Sequence, residues 1–188
     1  MSVDEAAAMN QLSKRQQFLS DLWDEHMKHE FATLDTEHTL DTMVPDARVN
    51  HVPVLTGGRG REELGEFYSK HFIPTHPADV EMIEVSRTIG MDRLAFEFVA
   101  RFTHTKRIDW MLPGIEPTGK RVELAAVVIV DFDGDKLVQE QIYWDQASVL
   151  VQLGLIDPDT LPVAGVQSAR KVLDPTLPSN ELIERAGW

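Results

Sequence analysis

The sequence predicts an α+β fold, a conical barrel in which a curved, mostly antiparallel sheet wraps around N-terminal helices. Three observations carry this reading. Apolar residues recur at helical spacing near the N-terminus. From about residue 80 the period changes to two, and four strand-like segments follow. Two tight hairpin signals, Ile89-Gly-Met-Asp92 and Asp133-Gly-Asp135, link those segments in pairs. Helices followed by a run of antiparallel strands pack as two layers, and such layers leave a cone between them that suits a small ligand.

Residues from Ser13 to about Leu34 read as an amphipathic helix, with Phe18, Leu19, Leu22, Trp23, Met27, Phe31 and Leu34 on one broad arc. A short second helix is expected over Glu37–Met43, before Pro45 enforces extended backbone. Ala47–Val54 reads as a short strand, Thr56-Gly-Gly-Arg-Gly60 as a turn, and Arg61–Phe72 as a helix presenting Leu64, Phe67, Tyr68 and His71. The four long strands are expected at Val80–Thr88, Arg93–Thr105, Arg121–Phe132 and Lys136–Trp144. Pro113–Gly119 is a longer loop, and Gln146–Leu153 a short helix stopped by Gly154. Residues 1–157 are expected to form one domain. Residues 158–188 form a proline-broken tail with short helices at Ala164–Leu173 and Asn180–Ala186.

Bulk properties narrow the function classes. With 31 acidic against 18 basic residues the net charge is -13, which repels phosphate backbones, so no nucleic acid partner is expected. No apolar run approaches the ~20 residues of a membrane helix, so no membrane partner is expected. The N-terminus lacks the basic-then-apolar pattern of a signal peptide, which makes the cytoplasm the expected location. The absence of cysteine excludes disulfides, thiolate metal sites and cysteine nucleophiles.

The candidate chemistry lies in a few polar residues set among apolar ones. Asp145 follows the aromatic pair Tyr143-Trp144 at the junction of a strand and a helix. It suits a pocket carboxylate acting as general base, while local sequence alone favours a helix N-cap, and the two roles are compatible. His104 ends the apolar row Leu94, Phe96, Phe98, Ala100, Phe102, where a histidine can reach a cavity rim. His26 and Glu30 fall one turn apart inside the apolar arc of the first helix. A buried Glu costs several kcal/mol unless paired, so its place needs a reason. His51 and Trp110 are further candidates for the pocket wall, with Tyr143 for orienting a substrate. Other signals fail. Gly57-Gly-Arg-Gly60 lacks the lysine of a phosphate loop, and Ser148 lacks the glycines of a nucleophile elbow. His26-Met-Lys-His-Glu30 is not the His-Glu-x-x-His pattern, and the sequence identifies no third ligand, so neither a metal nor another cofactor is expected.

Three short motifs carry a resemblance. They are Asp145 nine residues before Gly154, with Gln152-Leu-Gly154 ending the helix; Pro117-Thr-Gly-Lys120 leading into a long strand; and Asp133-Gly-Asp-Lys136 in the next hairpin. Together, over residues 21–155, they resemble the SnoaL-like polyketide cyclases of the nuclear-transport-factor-2-like (cystatin-like) superfamily of conical α+β barrels. The resemblance implies that Asp145 is the acid/base of an intramolecular aldol ring closure, assisted by His104, without cofactors.

The expected function is therefore acid–base chemistry by Asp145 and His104 on a small hydrophobic carbonyl, ester or cyclic compound. Two alternatives stay open. One is a non-catalytic binding or dimerisation module, since Arg121–Phe132 is apolar on both faces and suits a homodimer. The other is an epoxide- or lactone-type hydrolase using Arg101, Glu97 and Asp145. Arg101 and Glu97 lie on the strand face opposite His104, so the inward face decides between the two chemistries.

Overall fold

The computed structural model describes residues 12–187. It contains a curved six-stranded sheet in the order β2-β1-β6-β5-β4-β3, with helices packed against it. The edge strands β2 and β3 do not pair with each other, so the cone is an open sheet rather than a closed barrel. All neighbours are antiparallel except β1 and β6, which run parallel.

Helix α1 (Lys14–Phe31) starts at a capping box, in which Ser13 and Gln16 satisfy each other's backbone N–H. Its buried face holds Leu19, Leu22 and Trp23, together with His26 and Glu30. Phe18 and Leu34, expected on the core side, are exposed. Helix α2 (Thr36–Asp41), capped by Asp35, leads into β1 (Met43–His51). This strand begins earlier than expected and takes up Pro45 within the register shift between Met43 and Arg48.

The glycine run is a strand, not a turn. The chain turns at Val52–Leu55, and β2 (Thr56–Arg59) then pairs with β1. A Cβ on Gly57 would lie 2.0 Å from the Val49 carbonyl oxygen, so glycine permits the close pairing that turn statistics mistake for a loop. Helix α3 (Gly60–Glu66) then widens into a π-helical segment over Phe67–Phe72. The added residue per turn places Phe72 inward and leaves His71, expected inward, exposed.

Strands β3 (Glu81–Ile89), β4 (Arg93–Thr103), β5 (Arg121–Asp133) and β6 (Lys136–Trp144) lie within a few residues of their expected positions. Helix α4 (Gln146–Gln152) follows β6. The tail helices α5 (Gln167–Leu173) and α6 (Glu181–Arg185) are shorter than expected. The tail folds back on its own chain. Arg170 of α5 pairs with Glu123 of β5 at 2.8 Å, and the Ser148 hydroxyl of α4 donates to the Gly165 carbonyl at 2.7 Å. Among the described residues no helix is long and apolar enough to cross a membrane.

Candidate active site

A cavity of about 90 Å³ lies between α1, the π-helical segment and the concave face of the sheet. Its wall is mainly aromatic and aliphatic, with Trp23, Phe72, Phe98, Trp110, Val128 and Trp144 among the lining side chains. Phe96, Phe98, Ala100 and Phe102 of β4 all face it, so the row that ends in His104 is the inward one. Arg101 and Glu97 face away. Arg101 bonds Glu123 at 3.1 Å, and Glu97 accepts from Ser86 at 2.8 Å.

Among the described residues two carboxylates line the cavity, Glu30 and Glu140. Glu30 comes from α1. Glu140 comes from β6, where strand alternation aligns it with Ile142 and Trp144 on the inner face. His26 sits behind them, fully buried. Its Nε2 lies 3.2 Å from Glu30 and 3.1 Å from Glu140, and it is in line with neither oxygen for a hydrogen bond. The Tyr68 hydroxyl, presented by the π-helical segment, donates to Glu140 at 3.4 Å.

The tautomer of His26 follows from its other nitrogen. Thr42 donates its single hydroxyl proton to the Thr39 carbonyl at 2.6 Å. The His26 Nδ1 contact to the same hydroxyl oxygen, at 2.6 Å, therefore has to be an N–H donation from the ring. Nδ1 carries a proton, and Nε2 is the atom turned to the two carboxylates. Burial opposes a charge on His26, but Glu140 and Glu30 outweigh it and raise its pKa to about 10. Burial likewise raises the pKa of Glu30, against the pull of His26. Burial, reinforced by both carboxylates, raises the Tyr68 hydroxyl well above its usual range, so it stays a donor. The donor atoms of His26, Glu30 and Glu140 lie within 4.8 Å of one another, which is the spacing of a set able to hold a metal ion.

Two histidines of the wall behave oppositely. Burial lowers His51 to about 4 and His76 to about 4, so both are neutral near pH 7. His51 donates from Nδ1 to the Thr56 carbonyl at 3.2 Å and packs against Trp110, with ring centroids 4.8 Å apart. Trp110 is fixed in turn, since its carbonyl accepts from the Thr56 hydroxyl at 2.6 Å.

The other expected site residues lie apart from the cavity. Asp145 is exposed and caps α4, accepting from the Ser148 N–H at 3.2 Å. It does not line the cavity. His104 is buried, but it fastens the loop before β5. Its Nδ1 accepts from the Thr118 N–H at 3.3 Å, and its backbone bonds to Gly119 and Lys120. Burial lowers its pKa. Tyr143 points outward on β6 and donates to Gln141 at 3.1 Å. The structure thus brings together Glu30, His51 and Trp110, with His26 directly behind, and leaves Asp145, His104 and Tyr143 outside the wall.

Glu140, Tyr68 and His76 were missed. Counting back from Trp144 in steps of two reaches Glu140, so strand alternation held the signal. Tyr68 was expected on the inward helix face, though not as a site residue, and the π register that turns Phe72 inward left no signal.

The fold agrees with comparisons to known proteins. A family model described as SnoaL-like polyketide cyclase matches residues 13–153. A putative SnoaL-like polyketide cyclase from Jannaschia sp. CCS1 has a similar fold, with a TM-score of 0.63 at 14% identity, covering 79% of this chain and 99% of that one. A putative polyketide cyclase from Xanthomonas campestris pv. campestris gives a TM-score of 0.57 at 14% identity, covering 74% and 99%. A hypothetical protein of ketosteroid isomerase-like fold from Catenulispora acidiphila, in complex with trimethylamine, gives 0.56 at 14%, covering 72% and 94%. No curated protein matches the chain in sequence. Structural likeness at these identities speaks for the fold alone, but the family model spans most of the chain, and the chain belongs to the SnoaL-like polyketide cyclase family.

Proposed function

We propose that the protein catalyses a cyclase- or isomerase-type rearrangement of a small, largely apolar compound bearing a carbonyl group, and that the reacting end of the compound meets Glu30 and Glu140. The observation that carries this reading is the pair of carboxylates opening into an otherwise apolar cavity. Two buried acids are costly to folding, so their convergence calls for a role. A carboxylate within reach of a carbon next to a carbonyl can accept its proton, and apolar walls strengthen the electrostatic effects that stabilise the resulting enolate.

Family membership supports the reaction type. The aspartate and histidine implied by the sequence resemblance, Asp145 and His104, lie outside the cavity wall, so the proposed chemistry belongs to Glu30 and Glu140 instead. A volume of about 90 Å³ favours a compound of about a single small ring over a polycyclic one. The outward placement of Arg101 and Glu97 removes the water-positioning group that an epoxide-type hydrolase would need from them.

The test uses cyclopentanone in D2O, with loss of the protons beside the carbonyl followed by NMR. The wild-type protein is expected to exchange them faster than buffer does, and Glu140→Gln to return the rate to the buffer level. Exchange at the buffer rate with wild type, or an unchanged rate in Glu140→Gln, would overturn the reading.

A further inference from the structure

We infer that His26, Glu30 and Glu140 form a binding site for one divalent transition-metal ion at the floor of the cavity. This deepens the proposed function and rests on the same floor being the reactive centre.

The first ground is the histidine tautomer. Thr42 commits its only proton to the Thr39 carbonyl, so it accepts from His26 Nδ1 and fixes that nitrogen as the N–H. A hydrogen-bond acceptor on the far ring nitrogen is the usual second-layer support of a metal-binding histidine, because it aims the other nitrogen's lone pair and sets its tautomer. Here that other nitrogen, Nε2, turns toward two carboxylates.

The second ground is what Nε2 meets. A bare lone pair against two anions is repulsive, so a positive charge belongs between them. A proton on Nε2 supplies one unit of that charge against two anions, and a single N–H cannot lie in line with both carboxylates. An ion placed between the three atoms meets all of them at once. Donors of a four-coordinate ion at about 2.0–2.1 Å stand about 3.3 Å apart. The Nε2 distances of 3.2 and 3.1 Å to Glu30 and Glu140 match that spacing with little adjustment.

The third ground is charge. Once the ion displaces the Nε2 proton, two carboxylates and a neutral imidazole balance a dication to zero, which matters in a buried site walled by apolar side chains. One nitrogen and two carboxylate oxygens suit zinc, manganese or ferrous iron better than calcium or magnesium, which favour all-oxygen shells. With Glu30 and Glu140 lining the cavity, the remaining coordination position opens toward a bound compound, where an ion would polarise a carbonyl oxygen while the second, non-ligating oxygen of Glu140 stays available to accept the proton. From the sequence no metal is expected, for want of a third ligand after His26 and Glu30. Glu140, 110 positions beyond Glu30, supplies it.

The experiment titrates the full-length, chelator-stripped protein with ZnCl2 and with MnCl2 by calorimetry, and follows cobalt substitution by visible absorption. One ion per chain is expected, with d–d bands of a low-coordinate cobalt site. Glu140→Gln and His26→Gln are each expected to weaken binding at least about 100-fold, and Thr42→Val about 10-fold, with Thr42→Ser restoring it. Thermal unfolding of each stripped variant checks that it folds, and the milder Thr42 pair keeps the test valid if the others do not. Wild type that takes up no ion at 100 µM metal (a test concentration of about a hundred times the expected dissociation constant), or uptake unchanged in Glu140→Gln and Thr42→Val, would overturn the inference. If wild type takes up no ion yet exchanges cyclopentanone protons in a Glu140-dependent way, the metal site is refuted and the proposed function stands. If the ion binds and no exchange occurs, the site stands and the function falls.

Discussion

The cavity floor and the strand ends each hold a histidine with its partners, and they differ in what their surroundings ask of them. At the cavity floor, His26, Glu30 and Glu140 come from two distant elements and are buried together. At the strand ends, Asp145 and His104 each complete a local hydrogen-bonding task, one capping α4 and the other fastening the loop at Thr118. An exposed cap is explained by the backbone it satisfies. Buried carboxylates facing an apolar cavity are not, because their desolvation works against folding unless something else is bound or done there. Tertiary convergence, rather than the local motif, is therefore what the proposed function rests on.

The comparison is broken most sharply by removing one histidine from each region. His26→Leu leaves Glu30 and Glu140 buried without their counter-group and is expected to cost about 3–5 kcal/mol of stability. His104→Leu removes a neutral hydrogen bond and is expected to cost about 1–2 kcal/mol. Urea unfolding of both variants checks the ranking, and equal losses would contradict it.

The wall histidines sharpen the same contrast through pH. His51 and His76 are held neutral by burial, with pKa values of about 4 each, against an ordinary value of 6.5. The unfolded chain therefore takes up protons first as the pH falls. Stability from this source is full above pH 6.5, is lost as the pH falls toward about 4, and changes no further below that. The loss is up to roughly 3 kcal/mol per histidine. Urea midpoints measured between pH 7 and pH 4 (a span of about three units across the window) should fall less steeply in His51→Gln than in wild type.

A smaller effect concerns the cap. Asp145→Ala is expected to cost about 1 kcal/mol through loss of the bond to the Ser148 N–H, and Asp145→Asn only a few tenths, since asparagine also caps. Thermal unfolding of the two variants distinguishes a cap from a buried functional acid, for which the asparagine variant would be the more revealing.

Much of the fold was legible because hydrophobic period reports burial directly. The long strands and the first helix follow from it, and the motif spacing led to the right family. The errors have physical causes. Gly57 and Gly58 read as a turn because glycine permits bends, yet here glycine permits a backbone approach within a strand pair. His71 was expected inward because a regular helix was assumed where the backbone widens to a π form. Half of the floor was visible, since a Glu and a His on the apolar arc of α1 already demanded a partner. That partner, Glu140, lies on β6, and only the folded sheet brings it within 3.1 Å of His26. Asp145 was given weight by a motif whose spacing is equally that of a strand end and a helix cap.

The account is tested most directly by running the cyclopentanone exchange assay on Glu140→Gln and Asp145→Asn side by side. It predicts a loss of at least about 100-fold for Glu140→Gln and a change within about twofold for Asp145→Asn, as expected for a proton-transfer group and a replaceable cap. A large loss in Asp145→Asn with Glu140→Gln unaffected would contradict it and return the chemistry to the strand end.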